Sequence, residues 1–84
     1  MYKANIKVTL KKSVLDQQGK AVLHALESLG FNEAKAARVG KYFEVAIDAP
    51  DRKKAEARIK EMCDKLLINP VIEQYSFDME EVAK

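Results

Sequence analysis

The hydrophobic period of this chain changes from two to ~3.6 within its N-terminal third, and few small folds accommodate that change. Tyr2, Ala4, Ile6, Val8 and Leu10 alternate with Lys3, Asn5, Lys7, Thr9 and Lys11. That is the pattern of a strand with one apolar and one polar face. Past the stretch Val14-Leu15-Asp16-Gln17-Gln18-Gly19-Lys20-Ala21-Val22, the residues Val22, Ala25, Leu26 and Leu29 share one face of a helix. Gly30 suits the left-handed position that ends many helices. At the junction, Asp16 can cap the helix by accepting a backbone N–H of its first turn. The carboxylate, two amides and a glycine gathered there read as a helix start or a recognition surface.

The remaining punctuation predicts four more elements. Glu33 to Asp48 reads as two strands joined at Gly40-Lys41, a Gly-X pair that fits a type II′ turn. The first arm, Ala34 to Val39, has the weaker pattern and is expected at a sheet edge. In the second arm Phe43, Val45 and Ile47 point one way, and Tyr42, Glu44 and Ala46 the other. Pro50 and Asp51 open a second helix that runs to about Leu67, with Ala55, Ile59, Met62 and Leu66 at helical spacing and Cys63 beside them. Asn69-Pro70 stops it, because a residue before proline avoids the α region. A last strand begins at Val71, with Val71, Tyr75, Phe77 and Met79 on one face and Glu73 interrupting it. The tail from Glu80 is charged and expected to fray.

The order β-α-β-β-α-β with right-handed crossovers predicts an α+β, ferredoxin-like fold: a four-stranded antiparallel sheet with both helices on one face. Residues 1–84 are expected to form a single domain. The uncovered sheet face would carry Lys7, Thr9, Tyr42, Glu44, Ala46, Ile72 and Gln74.

An 84-residue chain has a thin core, and small domains without disulfides or metals often oligomerise. The single cysteine, Cys63, excludes an internal disulfide and points to a reducing, cytoplasmic setting. No apolar run approaches the ~20 residues of a membrane span, and the chain starts in strand pattern rather than in a signal peptide. A formal net charge of +2, from fifteen basic and thirteen acidic residues interspersed, does not call for a polyanionic partner.

No constellation of residues reads as an active site. His24, the one histidine, points away from the apolar face and lacks an orienting partner. Cys63 reads as a small core hydrophobe. The carboxylates form no acid–base couple, and no ligands recur at metal spacing. An anion at the first helix start would compete with Asp16 for the same N–H donors. Acylphosphatase-type chemistry needs an arginine in the first strand–helix loop, and Arg38, Arg52 and Arg58 all lie elsewhere. RNA binding on the sheet needs central aromatics for stacking, and the open face offers Tyr42 alone. An ACT-type regulatory module, binding a small ligand at a subunit interface, stays open as the alternative, although Gly19 sits late for its loop glycine.

Four ordered segments carry a resemblance: Lys7-Val8-Thr9-Leu10-Lys11, the Val14 to Val22 stretch, Arg38-Val39-Gly40-Lys41-Tyr42, and Leu66-Leu67-Ile68-Asn69-Pro70-Val71-Ile72-Glu73-Gln74-Tyr75. Together they resemble the PurS family, small subunits of phosphoribosylformylglycinamidine synthase. The resemblance implies a non-catalytic assembly subunit of an ATP-dependent ligase. That complex converts formylglycinamide ribonucleotide, ATP and glutamine to formylglycinamidine ribonucleotide in de novo purine synthesis. It implies a homodimer or a dimer of dimers that bridges a synthetase, PurL, and a glutaminase, PurQ. No cofactor is implied on this chain; ATP and magnesium are expected on the synthetase. The motif residues Leu15, Asp16, Gln18, Gly19, Arg38, Lys41 and Asn69 become the candidate partner interface, while Gly40 and Pro70 read as turn and stop. Gln17 stands where the family motif usually has proline.

Overall fold

A computed structural model of the chain describes residues 1–82. The elements are β1 (Tyr2–Leu10), α1 (Gln17–Ser28), β2 (Gly40–Ile47), α2 (Arg52–Met62) with a π-helical turn at Cys63–Leu67, and β3 (Glu73–Glu81). They make an α+β fold with a three-stranded antiparallel sheet in the order β2-β1-β3. The strand alternation of β1 explains its central place. Ala4, Ile6 and Val8 are at most 1% exposed, and Ile6 lies opposite Phe43 on one side and Phe77 on the other. Ala55, Ile59 and Cys63 of the second helical segment cover this row and are fully buried. Burial of a side chain such as Ile6 or Ile59 contributes roughly 1.5–3 kcal/mol.

The expected fourth strand is absent among the described residues. Residues 34–39 form no ladder, and Gly40 is not a hairpin tip but the first residue of β2, paired with Thr9. A Cβ on Gly40 would collide with the Val8 carbonyl, so the glycine serves close strand approach instead of a turn. The physical reason for the lost hairpin is a competing bond. The Val39 N–H, which a hairpin would use, donates to the Asp16 carboxylate at 2.9 Å.

The helices are also not equivalent. Only α2 lies over the sheet; α1 buries Gly19 alone and leaves Val22 43% and Leu29 74% exposed. A nine-residue strand and a twelve-residue helix span ~31 Å and ~18 Å. Neither element alone reaches the 50 Å length of the molecule. The radius of gyration is 16.4 Å, against ~12 Å for a compact domain of this size.

Two further differences have local causes. At Cys63 the helix switches to i→i+5 bonding, with the Ile68 N–H on the Cys63 carbonyl at 3.0 Å. The wider turn shifts the helical register. Leu66, expected on the apolar stripe, is 82% exposed, and Ile68 enters the core in its place. Val71 is 77% exposed because Asn69 closes a turn: its carbonyl accepts from Ile72 and Glu73, and its side chain from Val71. The last strand therefore begins at Glu73. Glu80 and Glu81, expected to fray, pair with Lys3 and Tyr2; the rest of that tail, residues 83–84, lies outside the described residues.

The uncovered sheet face is polar and internally bonded. The Tyr42 hydroxyl donates to Asn5 Oδ1 at 3.0 Å, Asn5 Nδ2 donates to Asp78 at 3.0 Å, and Lys3 pairs with Glu44 at 3.2 Å. Ile72, assigned to this face from the sequence, sits in the Asn69 turn instead.

Candidate functional site

The C-terminal end of β1 gathers chain segments that are far apart in sequence. Asp16 is the hub. Its Oδ1 accepts the Gly19 N–H at 2.9 Å as a helix cap, and its Oδ2 accepts the Val39 N–H at 2.9 Å. These two bonds, the Gly19 one foremost, hold its carboxyl below the usual carboxylate range. Gly19 is buried because the returning 34–39 segment passes directly over it. A Cβ there would stand 2.5 Å from the Ala37 carbonyl oxygen and 2.5 Å from Asp16 Oδ2. Arg38 reaches back to donate from its guanidinium to the Leu10 carbonyl, which ties the same segment to the end of β1.

A second group sits beside the first. Lys41 pairs with Glu73 at 3.1 Å, and the Glu73 side chain is only 12% exposed. The Asn69 N–H donates to Glu73 Oε1 at 2.7 Å. That backbone bond is the main cause holding the Glu73 carboxyl down, burial opposes it, and Lys41 adds to it. Gln18 is exposed and lines a shallow cavity of about 170 Å³ together with Lys41 and Glu73.

The seven residues singled out from the sequence thus converge on one end of the sheet, but in two different roles. Asp16, Gly19 and Asn69 are internal fasteners, with their polar groups or their space already committed. Leu15 is 57% exposed, and Gln18, Arg38 and Lys41 are also exposed. Glu73 was missed. Its signal was present in the sequence as the acidic residue that breaks an otherwise apolar strand face. Lys12, Lys20 and Lys35 were also passed over; all three line an open cleft of about 520 Å³ beside α1.

Elsewhere the chemistry is quiet. Cys63 is buried, and burial pushes its thiol up, with Asp64 adding to the shift. His24 is exposed. Among the described residues no three His, Cys, Asp or Glu side chains are grouped to hold a metal ion. No helix of the described residues is long and apolar enough to cross a membrane.

Comparison with known proteins gives a consistent result. The family model described as PurS, phosphoribosylformylglycinamidine (FGAM) synthase, matches residues 3–81. The phosphoribosylformylglycinamidine synthase subunit PurS of Bacillus subtilis is 52% identical over 98% of this chain and 96% of its own. The crystal structure of Methanocaldococcus jannaschii PurS, one of the subunits of formylglycinamide ribonucleotide amidotransferase, superposes with a TM-score of 0.91 at 37% identity, covering 99% of this chain and 100% of that one. A chain in the structure of PurLQS from Thermotoga maritima matches with a TM-score of 0.88 at 29% identity, covering 94% and 96%.

Proposed function

This chain belongs to the PurS family of phosphoribosylformylglycinamidine synthase subunits, and from that premise we propose how it serves the enzyme. It is the assembly subunit of that synthase in purine biosynthesis. It bridges a PurL-type synthetase and a PurQ-type glutaminase, so that formylglycinamide ribonucleotide, ATP and glutamine give formylglycinamidine ribonucleotide. The matching chain within the Thermotoga maritima PurLQS structure carries this reading. ATP and magnesium belong on the synthetase, in a cytoplasmic setting that the lone buried thiol favours. Contact with the larger subunits falls to Leu15, Gln18, Arg38 and Lys41, which Asp16, Gly19 and Asn69 hold in position. Reconstitution tests the role: the three purified subunits are assayed for glutamine-dependent product formation with and without this chain. Equal rates in the two mixtures would refute it.

The single 1–84 domain works as a homodimer or a dimer of dimers. Two observations support this. The apolar stripe of α1 is largely uncovered within one chain, and the outer edge of β2 pairs with no strand among the described residues. The order β2-β1-β3 is that of a four-stranded ferredoxin-like sheet lacking its edge strand beside β2, and a second copy completes that plan. Light scattering at micromolar concentration should give a multiple of the 9.5 kDa chain mass; a monomer mass would sink the idea.

A further inference from the structure

We propose that the cleft between the first turn of α1 and residues 35–38 receives an acidic polypeptide segment of the partner synthetase. An apolar side chain of that segment rests on Leu15 and Leu23, and its carboxylates face Lys12, Lys20, Lys35 and Arg38. The proposal rests on the assembly reading and adds the chemistry of one contact.

Charge is the first support. Four basic side chains and one carboxylate line this cleft, a local excess of three positive charges, greater than the +2 of the whole chain. The carboxylate is Asp16, and both its oxygens are already engaged by backbone N–H groups. Lys12 and Lys20 have no ion-pair partner among the described residues, and Lys35 reaches only the Asn32 carbonyl. Arg38 donates from one nitrogen to the Leu10 carbonyl, and its charge also acts on Asp16. Cations without an ion-pair partner among the described residues steer and orient an acidic partner.

The floor is the second support. Val14, Leu15, Leu23, Ala36 and Ala37 give the cleft an apolar base, and Leu15 stays 57% exposed on it. Protein contacts concentrate their energy in such apolar centres with polar rims. A compact anion such as phosphate fits less well. It would meet the Asp16 charge at the helix start, where the Gly19 donor is already taken, and it would leave the floor uncovered.

The test has two arms. In the first, complex formation from the three full-length subunits is titrated with the wild-type chain, with Lys12→Glu/Lys20→Glu/Lys35→Glu, and with Lys53→Glu/Lys60→Glu/Lys65→Glu, exposed residues of α2 and the π-helical turn that follows it, as the charge-matched control. Three exposed contacts worth a factor of about two to three each predict a loss of roughly 8- to 27-fold for the cleft variant. The loss should shrink at high salt, and the control should stay within about twofold. Equal losses in both variants, or none in the cleft variant, overturn the proposal.

In the second arm the chain alone is titrated by NMR with a synthetic peptide of alternating glutamate and leucine, and separately with inorganic phosphate. Saturable shifts confined to residues 12–20 and 35–39 with the peptide support the cleft. Shifts elsewhere, none at all, the same shifts with phosphate alone, or the same shifts produced by self-association in a concentration series overturn it. Because this arm needs no partner, a mixture that never assembles refutes the bridging role while the cleft is judged separately.

Discussion

Gly19→Ala should destabilise the protein, reversing the usual sign of that substitution. Gly19 lies in the first turn of α1, where replacing glycine by alanine ordinarily gains about 1 kcal/mol of helix propensity. Here the new methyl would stand 2.5 Å from the Ala37 carbonyl oxygen and 2.5 Å from Asp16 Oδ2. Ordinary contact needs ~3.4 Å, so the backbone of the returning segment must retreat by ~0.9 Å, and overpacking of this kind costs about 1–3 kcal/mol. The same displacement pulls Val39 away from Asp16, which opens the second bond of the hub. The net expectation is a loss of about 1–2 kcal/mol, or roughly 4–16 °C in Tm for a domain of this size. The assay is thermal melting at matched protein concentration, because an oligomer's Tm depends on concentration. Gly30→Ala is the informative companion. Gly30 has φ of +95° with nothing within 4 Å of a Cβ, so its cost is backbone strain of about 1–2 kcal/mol. Amide shifts at Val39 should follow the Gly19 change and not the Gly30 change. A Gly19→Ala protein with an unchanged or higher Tm would refute the close-approach account.

The other predictions concern the cap, the acid limb and the core. Gln17→Pro should raise stability by about 0.4–1 kcal/mol, since Gln17 is the first residue of α1 and the preceding Asp16, at ψ 89°, is already outside the α region that proline disfavours there; a lower melting temperature would count against it. Asp16 and Glu73 both have depressed carboxyls, so the stability they add is present above the ordinary carboxylate range and is lost as pH falls through their lower folded values. Acid titration from neutral pH downward should therefore be shallower in Asp16→Asn than in the wild type, and parallel curves would exclude the linkage. Ile59→Ala removes a fully buried side chain against the central strand and should cost about 2–5 kcal/mol, measured by urea denaturation. Cys63 should resist a thiol reagent until the chain unfolds, because it is buried with a raised thiol; fast labelling of the native protein would show that the π turn opens readily.

How much was legible in the sequence varies by element, for identifiable reasons. The β1 alternation, the Asp16 cap and the Asp51 helix start are local signals. The Asp51 side chain indeed accepts the Lys54 N–H at 2.8 Å, and such bonds close within one turn and compete with nothing distant. The Gly40-Lys41 hairpin failed because its decisive competitor, the Asp16 carboxylate, lies 23 residues from the Val39 N–H it captures. The Leu66 assignment failed because a single i→i+5 turn shifts the helical register, and no residue type marks such a turn. Glu73 looked like a blemish on an apolar face until the Asn69 turn and Lys41 supplied its partners.

The sequence by itself determined the family, the α+β character and the seven residues that mark the first loop, the start of β2 and the end of the second helix. It could do so because those features are carried by periodicity, capping chemistry and ordered short motifs. Only the tertiary structure decided which of the seven are fasteners and which face outward, since that division depends on where the 34–39 segment crosses Gly19 and on the turn that Asn69 closes with Glu73. It also decided that the apolar stripe of α1 is left largely uncovered. The Asp16 carboxylate accepts one N–H three residues away and another 23 residues away, and only the first of these is encoded in a local pattern.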